Sequence, residues 1–259
     1  MINVTLKGGD IKQFEDGASL YEMAQSISAG LARVCTAADV DGELCDLRYV
    51  PGKDCSVNFL TFDDEGGRHA YRHTASHVLA QAIKRLYPNT KLAIGPAIAD
   101  GYYYDFEFEE PISETDFDKI EAEMKKIIKE DLPIERFVLP RDEAIRFMAD
   151  KEEPYKVELI EDLPEDETIS FYKQGEFVDL CAGPHLMSTG KLKAVKLQNT
   201  AGAYWRGSEK NKMLTRIYGT AFPKKSELDA YLERIEEAKK RDHRKLGKEL
   251  GLFTIMDEG

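Results

Sequence analysis

His73-Thr-Ala-Ser-His77-Val-Leu-Ala-Gln-Ala-Ile-Lys-Arg-Leu86 sets the architecture of the larger part of this chain. Val78, Leu79, Ala82, Ile83 and Leu86 recur at helical spacing, and Pro88 stops the run, so a helix is predicted over about 73–86. Residues four apart lie on one helical face, which stacks the two imidazoles. They fall in the first turn or so of the predicted helix, where the positive dipole end keeps them neutral. Roughly a hundred residues on comes Asp179-Leu-Cys181-Ala-Gly-Pro-His185, whose Gly-Pro turn brings a thiol and an imidazole back toward each other. The chain has only 5 histidines and 4 cysteines, so three and one of them in these motifs is economical. A fold joining the motifs makes a four-residue cluster in a pocket, the expected seat of chemistry.

Outward from the helix, Gly95-Pro96 and Gly101 break a loop before Tyr102-Tyr-Tyr-Asp-Phe-Glu-Phe108, whose aromatic and acidic residues alternate as in a strand. A second helix is predicted over about 115–131 and a short one after Pro140. Strands are predicted at 157–160, 168–172, 176–180, 192–197, 202–206 and 213–218. The class is α+β, with helices on a largely antiparallel sheet. Upstream, Ile2–Leu6 and Ile11–Phe14 flank a Lys7–Asp10 turn, and Ser19-x-x-Glu22 is a capping box for a helix through Ile27. Strands around Asp41-Gly42 and Pro51-Gly52, and one at Val57–Phe62, complete a ββαββ unit of small mixed sheet and helix. Asp63–Gly67 reads as a polar linker. From Ser226 one long helix is predicted, with Leu228, Tyr231, Leu232, Ile235, Leu246 and Leu250 as its stripe and a basic patch at 239–245. Residues 252–259 look like the entry to another strand, so the sequence reads as a fragment of a longer protein.

At 259 residues, 42% apolar and 32% charged, the chain has room for two cores. No apolar run approaches the roughly 20 residues of a membrane span, and no signal peptide is present. Cys35, Cys45, Cys55 and Cys181 are expected as reduced thiols of a cytoplasmic protein. A net charge of −12 argues against indiscriminate nucleic-acid coating. Charge is uneven, however. Lys191, Lys193, Lys196, Arg206, Lys210, Lys212, Arg216, Lys224 and Lys225 face only Glu209 in 186–225, whereas 152–167 is acidic except for Lys156. The basic stripe is expected to guide a polyanion to the site.

Two chemistries fit the cluster. Either His73, His77, Cys181 and His185 bind Zn²⁺ and polarise a water or carbonyl, or the imidazoles position and deprotonate water without a metal. Residue types alone leave both open. Asp179 shares a strand face with Cys181 and can orient an imidazole or bind an amine. Lys156 is either a functional cation or a solvent-facing counter-charge, and Tyr102, Tyr103 and Tyr104 are strand aromatics with a hydroxyl available to a pocket. Trp205, Tyr204, Arg206 and Gln198 can stack on unpaired bases or pack in the core.

On these residues the chain resembles the editing domain of threonyl-tRNA synthetases, related to that of alanyl-tRNA synthetases and their free-standing relatives. Residues 1–63 look like a TGS domain, a ubiquitin-like β-grasp module. Residues 226–259 look like a linker helix and the first residues of a class II aminoacylation domain. The resemblance implies that 64–225 is a tRNA deacylase domain. It also implies that ATP and a further zinc belong to the aminoacylation domain, which is missing from this sequence. Its implied substrate is seryl-tRNA(Thr), whose ester at the acceptor end is hydrolysed, because a pocket for threonine cannot strongly exclude the smaller serine. By the same resemblance His73, His77, Cys181 and His185 form the pocket. Lys156 and His73 handle catalytic waters, Asp179 holds the serine amine or hydroxyl, and Tyr104 contacts the pocket or ribose. Threonyl editing sites work through ordered water, which implies no metal here. The longer enzyme is expected as a homodimer and the fragment as a monomer, with no membrane partner. The rivals are a free-standing alanyl-type deacylase and a non-catalytic RNA-binding module with structural zinc.

Overall fold

In the computed structural model, which describes residues 1–240, the Lys7–Asp10 turn closes through Leu6 N–H to Asp10 O (2.8 Å). That sets β1 (Ile2–Leu6) antiparallel to β2 (Ile11–Phe14). The Ser19–Glu22 capping box forms in both directions and starts α1 (Leu20–Ile27). After a short α2 (Ala29–Val34) come β3 (Cys35–Val40), β4 (Glu43–Cys45) and β5 (Cys55–Thr61). The sheet order is β2-β1-β5-β3-β4, with β1 and β5 parallel and the other pairs antiparallel, which is the β-grasp arrangement. Leu20 and Met23 of α1 pack on Val4, Ala38 and Val57 to form its core. The expected strand at Pro51-Gly52 is instead a turn leading into β5, and α2 went unread.

The predicted helix at 73–86 is longer. It is α3, Glu65–Leu86, 22 residues, so the expected linker at 63–67 is already helical at its end. Gly66 and Gly67 are packing residues here, not breakers: a Cβ on Gly67 would stand 1.8 Å from the Thr61 carbonyl oxygen of β5. The first turns of α3 therefore lie against the N-terminal sheet. Its later turns carry Val78, Leu79 and Ile83 into the core of the second unit.

That core is closed by two sheets and a helix. β6 (Lys91–Leu92), β7 (Ala97–Ile98), β8 (Gly101–Glu107), β12 (Ala194–Tyr204) and β13 (Met213–Phe222) form an antiparallel sheet in the order β12-β13-β8-β6, with β7 also on β8. α4 (Phe117–Glu130) adds Ile120, Met124 and Ile127 to the Tyr102, Tyr104 and Phe106 side chains of β8. Each fully buried apolar side chain of this size contributes about 1.5–3 kcal/mol. A second sheet, β11-β10-β9, comprises β9 (Ile134–Val138), β10 (Ser170–Gln174) and β11 (Phe177–Leu180). α5 (Arg141–Asp150) and α6 (Pro154–Asp162) pack together beside it.

The expected strand at 157–160 is thus a helix. Pro154 occupies the first turn of α6, where its missing N–H is not needed, and Lys156 and Ile160 are buried one turn apart. The two strands expected at 192–197 and 202–206 are one strand, β12, with an irregularity between Leu197 and Asn199. β9 was not anticipated. α7 (Lys225–Lys240) is the start of the predicted long helix. Its remainder, with Leu246, Leu250, part of the basic patch and the strand entry at 252–259, lies outside the described residues. No helix of the described residues is long and apolar enough to cross a membrane.

Candidate functional site

α3 and the Cys181–His185 turn meet. His73 and His77 are the ninth and thirteenth residues of α3, well beyond the reach of its N-terminal dipole. The expected cause of their neutrality is therefore wrong; burial supplies it instead. Ring centroids of His185 lie 4.2 Å from His73 and 4.1 Å from His77, and Cys181 Sγ sits 3.3 Å from His73 Nε2 and 3.2 Å from His185 Nε2. One donor atom from each of the four residues lies within 4.8 Å of the others.

The turn holding Cys181 and His185 follows β11 and contains a cis Gly183–Pro184 peptide. Gly183 has φ +85, and a Cβ there would stand 2.2 Å from the Tyr172 hydroxyl, so glycine is required on both counts. Main-chain hydrogen bonds fix one tautomer. Thr74 Oγ1 donates to Ala70 O at 2.8 Å and accepts from Leu186 N–H at 2.9 Å. Its only proton being committed, its 3.3 Å contact with His185 Nδ1 requires the ring N–H to donate. His185 Nε2 then accepts from the Cys181 thiol.

Beside the imidazoles is a buried ion pair. Lys156 Nζ stands 2.6 Å from Asp179 Oδ1, both side chains being 2–3% exposed, and donates to the Tyr104 hydroxyl at 3.0 Å. Tyr104 in turn donates to Asp179 Oδ2 at 2.6 Å. Lys156 is therefore not a solvent-facing counter-charge, and α6 and β8 exist at this point to present these groups to Asp179. His77 Nε2 is 3.6 Å from Asp179 Oδ2, beyond hydrogen-bond reach. Tyr102 is fully buried and Tyr103 stacks under Arg216 at 3.7 Å, so of the three tyrosines only Tyr104 joins the cluster.

The electrostatics follow from burial and this pair. Burial pushes the Cys181 thiol up to about 12, with Asp179 adding to the effect, so it is a protonated thiol. Burial, opposed by Asp179 and reinforced by Lys156, lowers His77 to about 4. Burial and the neighbouring imidazoles drive His73 and His185 well below the ordinary range. Burial raises the Asp179 carboxyl, but Lys156 and His77 outweigh it and leave Asp179 below its ordinary value.

A pH dependence of stability follows. His77 is lowered from 6.5 to about 4, so the unfolded chain binds more protons between those values. Its contribution is complete above about pH 6.5 and is lost as pH falls toward 4. Between pH 7 and 5 the loss is about 2 kcal/mol. Urea unfolding at the two pH values checks this, and His77→Gln should show a correspondingly shallower dependence. Equal slopes would remove His77 as the cause.

The basic stripe is not a free surface. Arg216 pairs with Asp105 at 2.7 Å, Lys196 with Glu121 at 2.9 Å, Arg206 with Asp162 at 2.5 Å and Lys224 with Glu227 at 3.0 Å. Lys212 pairs with Glu107 and Lys225 with Asp229. Among the described residues, Lys191, Lys193 and Lys210 have no ion pair. Trp205 is buried and donates to Glu158 at 2.9 Å, so it packs in the core rather than offering a face to a base, whereas Tyr204 is exposed. All four cysteines are free. Sequence reading missed Thr74, Tyr172 and His69. Only His69 carried a signal, preceding His73 by one helical turn with its ring 5.5 Å away. It lines a cleft of about 540 Å³ with Arg68, Arg72 and Ala97–Ala99.

Residues 2–61 match the TGS domain family, and residues 169–218 match the threonyl and alanyl tRNA synthetase second additional domain. The whole chain is 69% identical to the threonine–tRNA ligase of Acetivibrio thermocellus, 63% to that of Clostridium botulinum and 61% to that of Clostridioides difficile. The similarity to these threonine–tRNA ligases runs along the whole of the given sequence, which spans 40–41% of their length. Within this sequence, the second-additional-domain match contains Asp179, Cys181 and His185. His73, His77, Tyr104 and Lys156 lie outside the matched segment and reach the same cluster from α3, β8 and α6.

Proposed function

We propose that this chain is the proofreading part of a threonyl-tRNA synthetase, with 1–63 as TGS domain, 64–225 as deacylase domain and 226–259 as linker. Its reaction is hydrolysis of the ester of mischarged seryl-tRNA(Thr). The observation that carries the reading is the meeting of neutral imidazoles with a buried Lys156–Asp179 pair at one cluster. Ester hydrolysis needs an oriented water, a base and a charge to stabilise the oxyanion. A neutral His73 takes the proton of the attacking water, and the Lys156 ammonium faces the carbonyl oxygen as it gains charge. Asp179 accepts from Lys156 and Tyr104 and retains lone pairs for the serine ammonium. The cleft beside α3, lined by Glu65, Arg68, His69 and Arg72, is the opening we assign to the acceptor end of a tRNA. The relatives are named threonine–tRNA ligases, and we assign ligation with ATP to the longer protein rather than to these residues.

A zinc-bound form is a second reading, favoured by the donor set of three imidazoles and a thiol within 4.8 Å. We propose the metal-free form, in which a neutral His73 keeps a lone pair with which to act as base. The deciding experiment incubates the chain with seryl-tRNA(Thr) and threonyl-tRNA(Thr), with and without chelator. The expected result is loss of the seryl ester alone, at a rate chelator does not change. Chelator-sensitive hydrolysis would move the reading to zinc; stoichiometric zinc with survival of both esters would make the chain a binding module. A preference for alanyl esters would make it an alanyl-type deacylase.

A further inference from the structure

The N-terminal unit reaches the back of the cluster through Arg48 and Asp46. Arg48, in the loop after β4, donates from Nη1 to His185 O at 3.2 Å, from Nη2 to Leu186 O and from Nε to Ile134 O. One guanidinium thus caps the carbonyls on both sides of the His185–Leu186 peptide and ties them to the start of β9. Its own position is fixed by Asp46, whose carboxylate lies 3.4 Å from Nη1 and accepts the Tyr172 hydroxyl at 2.7 Å. The Tyr172 ring stands edge-on to His185, centroids 4.5 Å apart. Residues 46 and 48 therefore hold the main chain of His185 directly and its ring through Tyr172.

We propose that Arg48 is a positioning residue, through which the N-terminal unit sets the orientation of His185 and of the Cys181 thiol bonded to it. The turn from 181 to 186 has no helix or strand to hold it. Its start is held by Ser170, which bonds Cys181 N–H and O, and its end by Thr74, bonded to Leu186 N–H and His185 Nδ1, and by Arg48 on the His185 and Leu186 carbonyls. A planar fork with donors at fixed angles meets several carbonyls at once, which a lysine ammonium cannot reproduce. Without Arg48 the His185 and Leu186 carbonyls lose their donors, and the His185 end of the turn is left with Thr74. The N-terminal domain thereby acquires a role in the chemistry without contributing a group to it.

The rate readout rests on the deacylase reading; the spectroscopic one does not. In the 259-residue chain labelled with ¹⁵N-histidine, Arg48→Ala should shift the His185 imidazole resonances and weaken the Nδ1–H signature of the Thr74 contact. The kcat for seryl-tRNA(Thr) should fall about 10- to 100-fold with KM little changed. Methylguanidinium should restore part of both signals, and Arg48→Lys should lie nearer to Arg48→Ala than to the native chain. Unchanged His185 resonances in a folded Arg48→Ala variant would overturn the proposal, whatever the rate. Should that variant fail to fold, Arg48→Gln, which keeps one amide donor, takes its place with the same two outcomes. A native chain that leaves the ester intact counts against the deacylase reading alone, and the resonances still decide the role of Arg48.

Discussion

Lys156→Met should lose both activity and stability, whereas His73→Gln should lose mainly activity. Lys156 and Asp179 are each almost fully buried and 2.6 Å apart. Removing one member of such a pair leaves the other charge uncompensated in a low dielectric, at a cost of about 3–5 kcal/mol. Asp179 then gains a proton, since burial already presses it that way. It can no longer accept a serine ammonium as an anion, and the cation facing the oxyanion is gone. The rate of seryl-ester loss should drop by at least about 10²-fold. Pairing the change with Asp179→Asn separates the effects: stability should recover in the double variant and hydrolysis should not. His73 makes no ion pair among the described residues, so His73→Gln, which keeps most of the side-chain volume, should cost about 10²–10⁴ in rate with a smaller loss of stability than Lys156→Met. A Lys156→Met chain as stable as the native one would mean that the buried carboxylate is satisfied without its partner.

Gly67→Ala should destabilise the chain by about 3 kcal/mol, at the upper end for overpacking. In an exposed helix the same change would help by about 1 kcal/mol, since alanine is the better helix former. Here the added Cβ meets the Thr61 carbonyl oxygen at 1.8 Å and Thr36 Oγ1 at 2.6 Å. A main-chain oxygen in a sheet cannot rotate away, so α3 must lift from β5. Chemical denaturation of the variant checks this, and a midpoint at or above the native value would show that the helix is free to shift.

The same glycines explain where the sequence misleads. Gly66 and Gly67 follow three acidic residues and look like loop, because composition reports conformational freedom and not the neighbour that needs a missing side chain. Their true role depends on a contact with β5 and β3. The error moved the start of α3 by two turns and with it the account of why the imidazoles are neutral. The charge pattern misled in a related way: Arg216 and Asp105 are 111 residues apart in sequence but opposite each other across β13 and β8. A tally along the chain sees an unpartnered cation where the sheet has a pair. At 157–160, Val-Glu-Leu-Ile is short and apolar enough to fit a strand, but Pro154 opens a helix there that buries Lys156 and Ile160. What was legible depended on local chemistry: the capping box at Ser19, the Lys7–Asp10 turn, the stacking of His73 on His77 and the reversal at Gly183-Pro184. Arg48 and Thr74 act through main-chain atoms distant in sequence, and Tyr172 through the Asp46 carboxylate and the His185 ring; nothing in their neighbours announces it.

α3 is the one element with a foot in both lobes: its opening turns rest on the N-terminal sheet, and its middle carries His73 and His77. The backbone that joins the lobes at this point is thus the same one that carries the ring pair, with no loop between. His185 is held by Thr74 of that helix and by Arg48 of the N-terminal lobe, so the third ring answers to the same two supports. Any strain passed between the lobes along this rod arrives directly at the imidazoles.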